Sequence, residues 1–158
     1  VVTISTGSTS SNQTQPTLTW SGTVWLVAWT SDTLEGTGTT GIGLRAMSTA
    51  FATQGAVSAA NSTTAGAQSA PRLTAQADGN VVLAWNSVNQ HSGTSAGDVV
   101  RRLLGPTGTA SGTEKVLADA PGEGDQNSAR PVTFADGRRL LVWLSNATGV
   151  FLPVAQFD

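Results

Sequence analysis

A short motif returns three times in this chain: a turn glycine followed by an apolar run that ends in tryptophan. It reads Gly22 to Trp29, Gly79 to Trp85 and Gly137 to Trp143, with the tryptophans 56 and 58 residues apart. A period of that size means tandem supersecondary units, each unable to bury its apolar face alone. Other landmarks keep their order around it. A glutamine opens each unit (Gln13, Gln68, Gln126), a proline follows (Pro16, Pro71, Pro131), and a serine stands two residues beyond each tryptophan (Ser31, Ser87, Ser145). Asp78-Gly79 and Asp136-Gly137 lie between apolar runs, where glycine takes positive φ cheaply, and so predict hairpin turns.

Each complete unit contains four short apolar or alternating runs, which predicts four strands. The first precedes the turn, as in Thr17–Trp20. The second is the tryptophan run, which is apolar on both faces: Trp25, Val27 and Trp29 point one way, Leu26 and Ala28 the other. A strand of this kind is covered on both sides. The third is Ile42–Arg45, Val99–Arg102 or Val150–Pro153, and the fourth Gly55–Ser58 or Glu114–Leu117. The third unit lacks a fourth run, and Val1–Ser5 has the character to supply it. The expected fold is therefore all-β: three four-stranded antiparallel units resembling β-propeller blades, the last completed by the N-terminal strand, in one domain over residues 1–158. The units span approximately 13–67, 68–125, and 126–158 plus 1–12. A β-trefoil is the alternative, since it also has three units of four strands.

Composition narrows the function. Charged residues make up 11% of the chain, against about 25% in ordinary globular proteins; Thr, Ser, Gly and Ala take their place. A net charge of −2 argues against nucleic acid and anionic membrane as partners. Without cysteine there are neither disulfides nor thiolate metal sites. No apolar stretch is long enough for membrane insertion, and no cofactor motif is present.

The motifs together resemble degenerate tandem repeats of large secreted or surface proteins of bacteria, of the form Gln-x-x-Pro, turn Gly, apolar-Trp-x-Ser, then Ile-x-x-Arg. The resemblance implies a propeller-like, secreted, non-enzymatic protein. Pro153 departs from it, standing where the pattern has arginine.

Long polar loops held on a rigid scaffold are where binding usually resides. Antiparallel topology puts the segments after each tryptophan run on one rim, together with the links between units. Candidate ligand residues are Asp32, Glu35, Asn89 and His91 in those loops, with Trp20 and Trp25, tryptophans that have no counterpart in the other units and whose faces suit a sugar ring. Asp32 and Glu35 match a glycosidase pair by residue type only, and because nothing in the sequence aligns them across a cleft the pair is discounted. The single histidine, His91, has no second histidine to make a metal site, and the acidic group Asp119, Glu123 and Asp125 lacks a calcium-loop pattern. The expected function is thus non-enzymatic, lectin-like recognition of a glycan or cell surface. The alternative is a structural, self-assembling surface or filament subunit. Because three units leave two apolar faces uncovered, a homo-oligomer is expected, with a dimer favoured over a strand-exchanged polymer.

Overall fold

The computed structural model describes residues 1–5, 11–34, 39–88, 90, 97–117, 124–146 and 149–157. All the regular structure among them is β: β1 Gln13–Trp20, β2 Trp25–Ser31, β3 Gly41–Met47, β4 Thr53–Ala59, β5 Gln68–Ala75, β6 Val81–Val88, β7 Gly97–Leu104, β8 Lys115–Leu117, β9 Gln126–Thr133, β10 Arg139–Ser145 and β11 Leu152–Phe157. They form three antiparallel meanders, ordered β1-β2-β3-β4, β5-β6-β7-β8 and β9-β10-β11. Consecutive strands pair throughout, so each sheet is built from hairpins. The sheets stay separate, and no closed barrel of the kind a trefoil requires forms among the described residues.

The sheets pack in series. Leu26, Ala28, Ile42 and Leu44 of the first meet Val81, Leu83, Trp85 and Val100 of the second. Ala84, Val99 and Leu117, on the far side of the second, meet Leu141 and Trp143 of the third. The two-faced character read from the tryptophan runs is therefore real: Val27 and Trp29 lie on the face of the first sheet turned away from this core. The middle strand of the middle sheet is the most enclosed, with Val81 through Trp85 fully buried. No comparable packing joins the third sheet back to the first among the described residues.

The repeated glutamines have a defined task. A buried indole N–H needs an acceptor, and an unpaired one costs roughly 1–3 kcal/mol. Trp85 Nε1 donates to Gln68 Oε1 at 2.7 Å, and Trp29 Nε1 donates to Gln13 Oε1 at 2.5 Å. The bond ties the start of each first strand to the end of the second. Gln126 and Trp143 occupy the same register, yet Gln126 Oε1 and Trp143 Nε1 find no partner among the described residues.

Two residues beyond each glutamine, the backbone turns left-handed at Gln15 (φ 53°), Ala70 (φ 53°) and Ser128 (φ 61°). Each sits at a register shift between first and second strands. The repeated element is thus a β-bulge, and non-glycine residues hold it. In the third unit Ala129 stands where Pro16 and Pro71 follow the bulge, so Pro131 is not the structural equivalent of those prolines.

Two expectations are corrected. The third sheet has three strands, since Val1–Ser5 forms no strand and does not pair with β11. That segment lies on the first sheet instead: Ile4 packs with Val27, Trp29 and Met47, and Arg45 Nη1 donates to Ile4 O at 2.8 Å. The third strand of the last unit is Leu152–Phe157, not Val150–Pro153, because Trp143 pairs with Val154 as Trp85 pairs with Val100. Gln156 therefore occupies the position of Arg45 and Arg102. Those arginines donate to backbone carbonyls, Arg45 Nη1 to Ile4 O at 2.8 Å and Arg102 Nη1 to Ala60 O at 2.7 Å.

Replacing Gln68 with leucine should leave the Trp85 indole N–H buried without an acceptor. The midpoint of urea unfolding is expected to fall by the equivalent of about 1–3 kcal/mol, and an unchanged midpoint would show that the bond contributes nothing.

Candidate functional site

The expected site residues divide between opposite ends of the molecule. β2 begins at Trp25 and ends at Ser31, just before Asp32, and seven residues of strand span about 20 Å. Trp25 and its cross-strand partner Trp20 therefore lie on the rim of short turns, whereas Asp32 lies on the rim of long loops. The two groups cannot share one ligand-sized site. Glu35, Asn89 and His91 lie outside the described residues.

On the short-turn rim an aromatic platform forms. The Trp20 and Trp25 rings are 5.3 Å apart between centroids, tilted at 52°, and Phe51 stacks on Trp25 at 6.3 Å and 23°. Trp25 is half-buried against the cluster that holds Val27 and Trp29, which fixes its orientation. Trp20 is 36% exposed and Phe51 60%, so the platform presents aromatic surface to solvent. By register Trp20 corresponds to Ala75 and Thr133, and Trp25 to Val81 and Arg139. The second sheet has no tryptophan at these positions, and the third carries instead a Phe134–Phe157 pair, 6.4 Å apart between centroids, with Arg138 over Phe134.

Phe51 escaped the sequence reading, and its backbone marks it. It sits at φ 58° in the turn after β3, where Phe51 N donates to Ser48 O and Ser48 N to Ala52 O. In the second sheet the turn after β7 has the same bonds from Gly108 to Gly105 O and from Gly105 to Thr109 O, with Gly108 at φ 90°. A bulky side chain in the left-handed region costs about 1–2 kcal/mol, and strain of this kind concentrates at functional sites. Phe51→Gly is therefore expected to leave the thermal midpoint unchanged or raised while weakening any ligand held on the platform. A clear drop in the midpoint would assign Phe51 to stability instead.

The long-loop rim carries polar networks. Gln90 bridges Thr63 Oγ1 at 3.1 Å and Glu114 Oε2 at 2.8 Å through its Nε2, and its backbone N–H donates to Asp98 Oδ2 at 3.1 Å. Thr63 Oγ1 donates to Glu114 Oε2 at 2.6 Å, and the Ser62 backbone N–H donates to Glu114 Oε1. Burial favours the neutral Glu114 acid, but the hydrogen bonds from Thr63 and Ser62 outweigh it and hold the carboxyl below its ordinary value of 4.5. The charged form is thus favoured by folding. This stability is present above the unfolded-state pKa and is lost as pH falls through the lowered, folded-state pKa. Glu114→Gln should therefore lower the thermal midpoint at neutral pH and converge with the parent on acidification below about 4.5. A constant gap across pH would refute the assignment.

Asp32 is half-buried, and its backbone N–H donates to Asn12 O at 3.2 Å. Asp125 Oδ1 accepts from Gly97 N at 2.8 Å, while Asp119 and Glu123 lie outside the described residues. No group of metal-ligating side chains gathers among those described, nor is there a helix long and apolar enough to cross a membrane.

No protein-family model matches the chain, and neither does any curated protein sequence. Among solved structures, the fold is similar to the endo-arabinase of Bacteroides thetaiotaomicron VPI-5482, with a TM-score of 0.57 and 13% sequence identity. The match covers 95% of this chain and 57% of that one, so the chain spans little more than half the length of this neighbour. The likeness is one of fold. It nevertheless corrects the expectation of a non-enzymatic protein: this arrangement of sheets is shared with an enzyme, and the scaffold gives no ground for excluding catalysis.

Proposed function

We propose that this chain is a carbohydrate-contacting repeat module of propeller type, related to the Trp-containing tandem repeats of secreted and surface proteins. Its glycan contact is the Trp20–Trp25–Phe51 platform. The observation that carries this reading is the Phe51 aromatic ring held exposed on a strained backbone, beside two tryptophans that the other sheets lack. A solvent-facing aromatic edge of that size, fixed on a rigid strand pair, fits the apolar C–H face of a sugar ring. The serial packing of three meanders supports the propeller reading, and the fold shared with an endo-arabinase is compatible with carbohydrate contact. Low charge and abundant Ser and Thr suit the secreted or surface location.

Hydrolysis is the second reading, favoured by the endo-arabinase likeness. It belongs to the opposite rim, where Asp32, Asp98 and Asp125 lie near the strand ends. The two readings separate experimentally. Calorimetric titration with arabinan and a panel of other polysaccharides should show binding that Trp20→Ala weakens at least about tenfold, which is 1.4 kcal/mol. Reducing-end release from arabinan that survives Trp20→Ala but falls in Asp98→Asn would support hydrolysis. Binding indifferent to Trp20 and Phe51 would remove the platform from the reading.

A further inference from the structure

The first and second sheets share a closed core, but toward the outer strands they draw apart. Between β4 and the turn that follows β7 lies an open groove of about 250 Å³. That is several times the roughly 30 Å³ share of one water molecule. It falls short of the roughly 300 Å³ at which pockets for drug-sized ligands begin. Its size suits one ring unit, with the open side free for the rest of a chain.

Register sets what lines it. Leu44 and Ala46 pack toward the second sheet, and their cross-strand partners on β4 are Ser58 and Gln54. Partners across a ladder share a face, so Ser58 and Gln54 form a polar wall beside these apolar side chains. The opposite wall is the turn after β7, with Thr107 and Thr109 on either side of Gly108. A Cβ at Gly108 would stand 2.9 Å from Leu26 Cδ2 and 3.5 Å from Leu44 Cδ2. Glycine therefore lets the turn settle on the core and brings both threonines to the groove. Between Ser58 and Gln54 a bulge sets Gly55 to Val57 opposite Arg45. The Arg45 guanidinium holds it there, Nε and Nη2 donating to Gly55 O at 3.1 and 2.9 Å. Bulges gather beside functional sites because they re-aim side chains.

The walls are thus neutral and the floor apolar. Hydroxyl and side-chain amide groups each offer a donor and an acceptor, which matches the hydroxyls of a sugar, while Leu44 and Ala46 meet its C–H face. No carboxylate lines the groove among the described residues, and Arg45 is turned to the carbonyls of Gly55 and Ile4. Leu44 pairs with Ala28 and Ser58 as Arg101 pairs with Ala84 and Lys115, so the second sheet carries a charge where the first has a hydroxyl. We infer that this groove binds one uncharged sugar unit of a glycan, held by Gln54, Ser58, Thr107 and Thr109 over Leu44. The ligand class rests on the carbohydrate reading above; the site uses none of the platform residues. Trp25 pairs with Met47, which packs with Val27 and Trp29 on the other face of the first sheet, so the two contacts are separate.

Gln54→Ala combined with Thr107→Val removes polar groups from both walls at exposed positions, so the thermal midpoint should not change. Amide resonances of nitrogen-labelled protein are followed during titration with uncharged arabino-, xylo-, gluco- and galacto-oligosaccharides, and with oligogalacturonate as the charged control. Gly55, Thr107 and Gly108 are expected to shift with an uncharged member, in the parent and in Trp20→Ala alike. The double variant should weaken that binding about tenfold. Shifts confined to Trp20, Trp25 and Phe51 overturn the groove and leave the platform standing. Preference for oligogalacturonate, or binding that the double variant leaves unchanged, overturns the inference as well. No shift with any of these sugars overturns it together with the carbohydrate reading.

Discussion

Each second strand in this chain is apolar on both faces, and that constraint governs everything around it. A sheet containing such a strand cannot stop at one layer; it needs a neighbour on either side. The chain answers by placing sheets in series, and each tryptophan that reaches across brings a buried polar N–H with it. In the first two sheets the glutamine at the start of the first strand accepts the N–H of its tryptophan, Gln13 that of Trp29 and Gln68 that of Trp85. One side-chain bond therefore links hydrophobic packing between sheets to strand register within a sheet. The left-handed residue two positions on marks a bulge that shifts the register between the glutamine, paired with Ser87 in the second sheet, and the rest of the first strand.

How much of this was legible in the sequence depends on whether a feature leaves a mark on composition. The tryptophan runs, the turn glycines and the glutamines recur at one spacing, and burial of Trp85, Trp143 and Gln68 follows from that. The bulges at Gln15, Ala70 and Ser128 use three different residues, none of them glycine, so no residue type announces them. The third unit was misplaced because its landmarks drift: Pro131 lies three residues beyond the left-handed Ser128, whereas Pro16 and Pro71 directly follow theirs, and Val150–Pro153 looks like a strand while the pairing starts at Leu152. Phe51 could be found only by aligning two turns, after which a phenylalanine stands where Gly108 does.

The candidate site was half legible for a related reason. Trp20 and Trp25 are conspicuous because the other units lack them, and the structure brings them together through cross-strand pairing. Their distance from Asp32 follows from strand direction, which motif spacing does not carry. The N-terminal segment was expected to be the fourth strand of the third sheet, but it forms no strand and lies on the first sheet. Its place was missed because a strand can sit beside a sheet edge or lie at the margin of the next sheet, and sequence does not distinguish these. Here a single arginine, Arg45, fixes the second arrangement.

The serial arrangement also sets a gradient of local stability. The middle sheet is covered on both faces, and Val81 to Trp85 have no solvent contact. Among the described residues the third sheet leaves Val132 and Phe157 exposed, and β11 pairs on one side alone. Since strands within each sheet pair with their neighbours in sequence, each meander closes loops of ten residues or fewer, at small entropic cost. Folding can then begin at the centre and spread outward, and fluctuation runs the other way. Amide hydrogens of β6 exchange with solvent through global unfolding, while those of β11 exchange through local opening that leaves the central sheet intact.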